Sequence, residues 1–216
     1  MVPQLSPDEC RVLGTLVEKA QTTPAQYPLS LNALVNGVNQ KNNRWPVVSI
    51  SEETALKALD GLRAKGLVRE VALAGSRVEK FRHVAREALA VSTSELVLLA
   101  ELWLRGPQTV GELRGRASRM HPLESLETTQ ALLAGLATRE DPLVRELAPA
   151  PGSRASRWAQ LVCPSMHPLD AAAGVPSDRD DGANDHAVDV DRVAALEARV
   201  KALEDALDEL RRGLGA

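Results

Sequence analysis

The chain has 216 residues, 44% hydrophobic and 25% charged, enough for one large packed domain or two small ones plus a tail. Aromatic residues make up only 2%, namely Tyr27, Trp45, Phe81, Trp103 and Trp158, which argues against base-stacking platforms and aromatic ligand cages. A net charge of −3 and a pI near 5.9 are not those of an obligate nucleic-acid binder, and no apolar run approaches the roughly 20 residues of a membrane span.

Taken from the N-terminus, Met1-Val2-Pro3-Gln4 lacks the basic and apolar stretches of a secretion signal, so a cytoplasmic location is expected. Ser6-Pro7-Asp8-Glu9 has the form of a capping box and opens a helix lined by Val12, Leu13, Leu16 and Val17. Leu29 to Lys41 reads as a second helix with Leu31, Leu34, Val35 and Val38 on one stripe. Ser51 caps a third, with Ala55, Leu56, Leu59 and Leu62 expected to face inward and Gly66 ending it. Two strands, residues 67–73 and 78–84, flank the turn Ala74-Gly75-Ser76-Arg77.

The same order then recurs. Ser92-Thr93-Ser94-Glu95 is a second capping box, before Leu96, Leu98, Leu99, Leu102 and Trp103, and that helix stops before Gly106-Pro107. Thr109-Val110-Gly111-Glu112 caps the next helix, and Leu126, Leu132, Leu133 and Leu136 line a third. Strands at 143–147 and 157–162 close the second copy. Val68-Arg69-Glu70-Val71 is echoed by Val144-Arg145-Glu146-Leu147, and Gly75-Ser76-Arg77 by Gly152-Ser153-Arg154. One module used twice is the simplest account. The expected fold is mainly α with small β-hairpins (α+β): two tandem winged-helix domains, 5–86 and 90–163, each three helices and a hairpin.

Beyond them, residues 164–190 hold Pro168, Gly174, Pro176, Gly182 and several aspartates, the composition of a flexible acidic linker. Residues 191–214 then place Val193, Leu196, Val200, Leu203, Leu207, Leu210 and Leu214 at alternating spacings of three and four. That is a heptad seam, with β-branched residues at early a positions and leucine at d, favouring a parallel homodimer. A helix folding back on its own domain is the other reading. Charge is uneven along the chain. Residues 1–86 carry 12 Lys+Arg against 8 Asp+Glu, residues 87–163 carry 8 against 9, and residues 164–216 carry 6 against 12. The front is mildly basic and the tail acidic.

The sequence resembles the YceH-like family of uncharacterised bacterial proteins over essentially its whole length. The resemblance rests on Thr23-Pro24-Ala25-Gln26-Tyr27-Pro28-Leu29-Ser30-Leu31-Asn32 and on Asn39-Gln40-Lys41-Asn42-Asn43-Arg44 with Pro46. Leu104-Arg105-Gly106-Pro107-Gln108-Thr109, Gly111-Glu112-Leu113-Arg114, Arg139-Glu140-Asp141, Gly152 and Arg154 extend it. It implies a tandem winged-helix protein with a C-terminal coiled coil and assigns no biochemical role. Trp45 and Val38 depart from the family pattern, which usually has an acidic residue and a cysteine there.

No nucleophile elbow, HExxH motif or phosphate-binding glycine loop is present, and His83, His121, His167 and His186 have no metal-ligand spacing. The protein is therefore expected to be no enzyme and to need no cofactor or metal. Cys10 and Cys163 form no CxxC and are expected to be free buried thiols.

DNA is one expected partner and an unidentified protein the other. The third helices are poor readers of bases, since Glu53, Lys57, Asp60 and Ala64 on the first and Glu124, Glu127, Gln130 and Ala131 on the second face away from the leucines. Positive charge sits instead on the loop Lys41, Asn42, Asn43 and Arg44, and around the first hairpin at Arg69, Arg77, Lys80 and Arg82. The second copy adds Arg114, Arg116, Arg154 and Arg157. These are candidate phosphate contacts that carry no sequence information. The competing reading of the loop is that its asparagines turn the chain and its cations merely solvate it. A DNA-associated or transcription factor is one functional reading. The alternative is an interaction module or scaffold that holds a protein in its winged-helix grooves.

Overall fold

Among the described residues, every α-helix longer than one turn begins on a hydroxyl cap. In a computed structural model, which describes residues 3–72, 78–149 and 155–167, Ser6 caps α1 (Pro7–Thr22), Ser30 caps α2 (Leu31–Val38) and Ser51 caps α3 (Glu52–Ala64). After the one-turn α4 (Ala85–Ala88), Ser92 caps α5 (Thr93–Arg105), Thr109 caps α6 (Val110–Ala117) and Ser125 caps α7 (Leu126–Ala137). The reciprocal boxes expected at Ser6–Glu9, Ser92–Glu95 and Thr109–Glu112 all form. Each satisfies two amides that the helix start leaves open, worth about 1 kcal/mol per cap. The linker at 164–190, apart from its first residues, and the heptad seam from Val193 to Leu214 lie outside the described residues.

The strands are short and antiparallel. β1 (Leu29–Ser30), β2 (Val68–Val71) and β3 (Lys80–His83) form a sheet in the order β1-β3-β2. β4 (Val144–Leu147) and β5 (Arg157–Gln160) form a separate ribbon. The repeat is deeper than its helix order. Leu29, between α1 and α2, pairs with Phe81, and Gln108, between α5 and α6, bridges Trp158. Glu70 opposes Phe81 as Glu146 opposes Trp158, and both aromatic rings are buried.

Three expectations are corrected. The second helix runs Leu31–Val38 rather than 29–41. Leu29-Ser30 is pulled into the sheet, and past the helix end the Asn39 side chain pairs with Ile50 in both directions, Nδ2 to the carbonyl at 3.0 Å and Oδ1 from the amide at 2.9 Å. The strands are shorter than their apolar runs, 68–71, 80–83, 144–147 and 157–160. Leu56 and Leu126 do not face inward: they are 41% and 47% exposed on the third helix of each module.

Two helices carry the interior. Residues 9–18 of α1 and 96–105 of α5 are buried on every side, the mark of a helix enclosed by its neighbours. α1 packs against α2 and α3 on its own side and against α5 across the repeat, and one continuous core runs through both modules. They meet tightly at Gly14, where a β-carbon would lie 3.1 Å from the Leu104 side chain and 3.3 Å from Trp103 Cβ. Within those enclosed spans Glu9, Arg11, Glu18, Glu101 and Arg105 are all buried, so each must find its partner inside the protein. No helix among the described residues is long and apolar enough to cross a membrane.

Candidate functional site

Apart from Glu9, which pairs with Lys65, the enclosed charges gather in one region. Arg44, at the end of the loop after α2, is fully covered and donates from both terminal nitrogens to the Glu18 carboxylate of α1, at 3.2 and 2.5 Å. It also donates to the carbonyls of Asn43 and Gly37. On the far side of Glu18, Arg119 closes on Glu18 at 2.7 Å and on Glu101 of α5 at 3.2 Å. Arg105 pairs with Glu101 at 3.0 Å and donates to the Asn43 side chain. Arg11 of α1 reaches the carbonyls of Leu104 and Pro46. Burial pushes the Glu18 carboxyl up, but the Arg44 and Arg119 guanidiniums beside it more than reverse that and hold it below the usual carboxylate range. Burial and the neighbouring Arg44 bring Arg11 down to about 10.

The same loop locks onto the end of the described chain. The carbonyl of Trp45 accepts from His167 Nε2 at 2.9 Å and their rings stack 5.5 Å apart. A carbonyl only accepts, so His167 carries its proton on Nε2, and its Nδ1 has no hydrogen-bond partner. Desolvation lowers this histidine to about 4. Asn43 takes φ 60°, tolerable for asparagine, and Gly106 takes φ 77° with ψ −159°, a conformation essentially reserved for glycine.

Much of the loop expected to contact phosphate is therefore internal structure. Arg44 is 2% exposed and committed to Glu18, so it is withdrawn as a phosphate ligand. Asn39 and Asn43 are held by the fold, whereas Gln40, Lys41 and Asn42 are exposed. Arg114 is spent on the carbonyls of Leu123 and Glu124, tying down the turn after α6. Arg116 donates to Gln108 at 2.8 Å and lies 3.7 Å from Glu112. Arg157 is partly covered, its Nε buried with no hydrogen-bond partner. Arg77 and Arg154 lie outside the described residues.

A second cluster keeps its charge outside. On the first hairpin Arg69 stands directly opposite Arg82, and Val71 opposite Lys80. Alternation along a strand puts these four on one face and Val68, Glu70, Phe81 and His83 on the other, where Val68 and Phe81 are buried and Glu70 turns to Arg63. Arg69 and Arg82 are exposed, and among the described residues neither they nor Lys80 forms an ion pair. Like charges placed opposite one another weaken a ribbon. The second hairpin avoids this: the position facing Arg145 is Ala159.

The interior network was not visible in the sequence, although a signal existed. Glu18 directly follows Leu16-Val17 and Glu101 sits inside Leu98-Leu99-Ala100-Glu101-Leu102-Trp103, and an acid set in an apolar stretch of that kind requires a cation. The opposition of Arg69 and Arg82 is fixed by hairpin register, which no single strand reveals.

A family model described as "Protein of unknown function, DUF480" matches residues 5–153. A UPF0502 protein of Dechloromonas aromatica is 46% identical over 210 residues, 97% of this chain and 93% of that protein. A UPF0502 protein of Citrifermentans bemidjiense is 52% identical over 161 residues, 74% of each chain, and one of Geobacter sulfurreducens 44% over 196 residues, 90% and 88%.

Proposed function

The chain belongs to the DUF480 (UPF0502) family of bacterial proteins, and on that footing we propose that it is a non-enzymatic, DNA-associated protein built of two winged-helix modules. In this reading the first hairpin is the wing that meets the phosphate backbone. The observation that carries it is the exposed pair Arg69 and Arg82, directly opposed on the outer strand face with Lys80 beside them. A fold that sets two guanidiniums side by side without a carboxylate accepts a cost that a bound phosphate removes.

Lys41 and Asn42, the part of the loop left in solvent, add to the same contact class. Contacts of this kind position a protein on a duplex without reading bases, which agrees with the exposed acids Glu53 and Asp60 on α3 and Glu127 on α7. The heptad residues 193–214 are proposed to join two copies in parallel, linking two weak sites into one stronger one. A cytoplasmic location is part of the same proposal.

The interaction-module reading keeps one observation of its own. Leu126, 47% exposed, lies in a shallow, open cleft of about 580 Å³ with Val110, Gly111, Glu127 and Gln130, a mostly apolar surface that a protein partner would cover. The two readings separate in one titration. A fluorescent duplex at low salt is titrated with the protein and with the double variant Arg69→Ala/Arg82→Ala. DNA association predicts saturable binding that the variant largely loses. No binding by the parent protein overturns it.

A further inference from the structure

The two modules can be laid over one another by their own hydrogen bonds. In the first, the Leu67 amide donates to the Leu62 carbonyl of α3 at 2.9 Å, and the Leu67 carbonyl accepts from the Val84 amide at 2.8 Å. In the second, the Leu143 amide donates to the Leu136 carbonyl of α7 at 3.1 Å, and the Leu143 carbonyl accepts from the Leu161 amide at 2.9 Å. Leu62 therefore corresponds to Leu136, and the next residue, Arg63, to Ala137. Strand register completes the match, since Glu70 opposes Phe81 as Glu146 opposes Trp158.

The second module keeps the acid of this set and lacks its cation. In the first module the Arg63 guanidinium lies 3.3 Å from the Glu70 carboxylate and 3.4 Å from Asp60 on its own helix. The corresponding positions in α7 are Ala137 and Ala134. With both side chains reduced to methyl groups, an open cleft of about 470 Å³ lies between α7 and the ribbon, lined by Ala134, Ala137, Pro142, Glu146, Trp158 and Leu161. Glu146 is exposed, and among the described residues only the Ser156 hydroxyl bonds it, at 2.5 Å on Oε1. We propose that this cleft docks an arginine side chain presented by a protein partner, its guanidinium taking on Glu146 the place that Arg63 takes on Glu70.

The chemistry of the cleft matches that occupant. Its apolar walls cover the aliphatic stem of an arginine, and the carboxylate accepts from the planar fork at the tip. Arg145 also borders the cleft, but alternation puts it on the other strand face, opposite Ala159. The first module has the same neighbour in Arg69, and its Arg63–Glu70 pair forms all the same. The site lies on a different hairpin from Arg69 and Arg82, so its failure would leave the DNA reading untouched.

The test titrates the isotope-labelled full-length protein with a capped alanine–arginine–alanine tripeptide and with its citrulline counterpart, which keeps the shape and loses the charge. Expected are saturable shifts of the Thr138 and Glu146 amide signals and of the Trp158 indole signal, with the citrulline peptide about tenfold weaker. Glu146→Gln should weaken the arginine peptide by a similar factor. Ala137→Arg, which restores the first module's side chain, should fill the cleft from within and abolish the response. Equal affinity for the two peptides, or no shift of these signals with either, overturns the proposal. So does an arginine-peptide affinity that is unchanged in Glu146→Gln or in Ala137→Arg. The comparison of peptides needs only the parent protein and decides even where a variant fails to fold.

Discussion

Arg44 places its guanidinium fork on the carboxylate of Glu18 at a point where the two side chains are 0% and 3% exposed. The pair joins the loop after α2 to the middle of α1, and Arg119 carries the contact on to Glu101 of α5. A buried charge pair adds little net stability over a well-packed apolar pair, but removing one partner strands the other in a medium that cannot solvate it.

Arg44→Ala is accordingly expected to lower unfolding free energy by about 3–5 kcal/mol, measured by urea denaturation. Arg44→Lys recovers only part of that, because an ammonium cannot span both carboxylate oxygens and the Gly37 carbonyl together. The double variant Arg44→Met/Glu18→Leu is expected to lose less than the two single variants summed.

Gly106→Ala tests the joint where α5 ends. A β-carbon there would stand 2.8 Å from the His167 ring and 3.2 Å from Trp45, on a backbone conformation that side chains avoid. A loss of about 1–3 kcal/mol is expected. An unchanged melting temperature would show that the stack of Trp45 on His167 yields freely.

Stability is expected to fall with acid well above the carboxylate range. Burial lowers His83 and His167 to about 4 from an ordinary 6.5. Between those values the unfolded chain binds more protons than the folded one, so stability rises with pH. Their contribution is complete above about pH 6.5 and is lost progressively toward about pH 4, at up to roughly 1.4 kcal/mol per pH unit for each histidine. Glu18, held below its ordinary 4.5, adds a further loss at lower pH. Denaturant unfolding from pH 4.5 to 7.5 reads the slope, and His167→Gln should remove about half of it.

How far this was legible from sequence differs by level. Helix starts were open to reading, because Ser6, Ser92 and Thr109 each have a glutamate three residues on and the box is a local interaction. The local pattern overextends α2 at both ends because its limits are set from a distance: Phe81 draws Leu29 into a strand, and Ile50 occupies the side chain of Asn39. The basic loop misled for the same reason. Lys41 and Arg44 look alike three residues apart, yet one reaches solvent and the other meets an acid 26 residues earlier in the chain. Leu56 and Leu126 fit a helical stripe but fall at its outer edge, and periodicity alone does not separate edge from core.

Leu126→Ser addresses the interaction-module reading. With half of its surface already in solvent, the substitution is expected to change stability by no more than about 0.5 kcal/mol. It therefore leaves a folded protein in which any partner held by that cleft is released, and pull-down with parent and variant proteins compares the two directly.

The central claim is that the outer face of the first hairpin holds phosphate, and its most direct test is the salt dependence of duplex binding. Plotting log affinity against log salt concentration for the parent and for Arg69→Ala/Arg82→Ala should give straight lines, the variant's shallower by about 1.8 because two phosphate contacts are gone. Lines of equal slope and equal height would contradict the account.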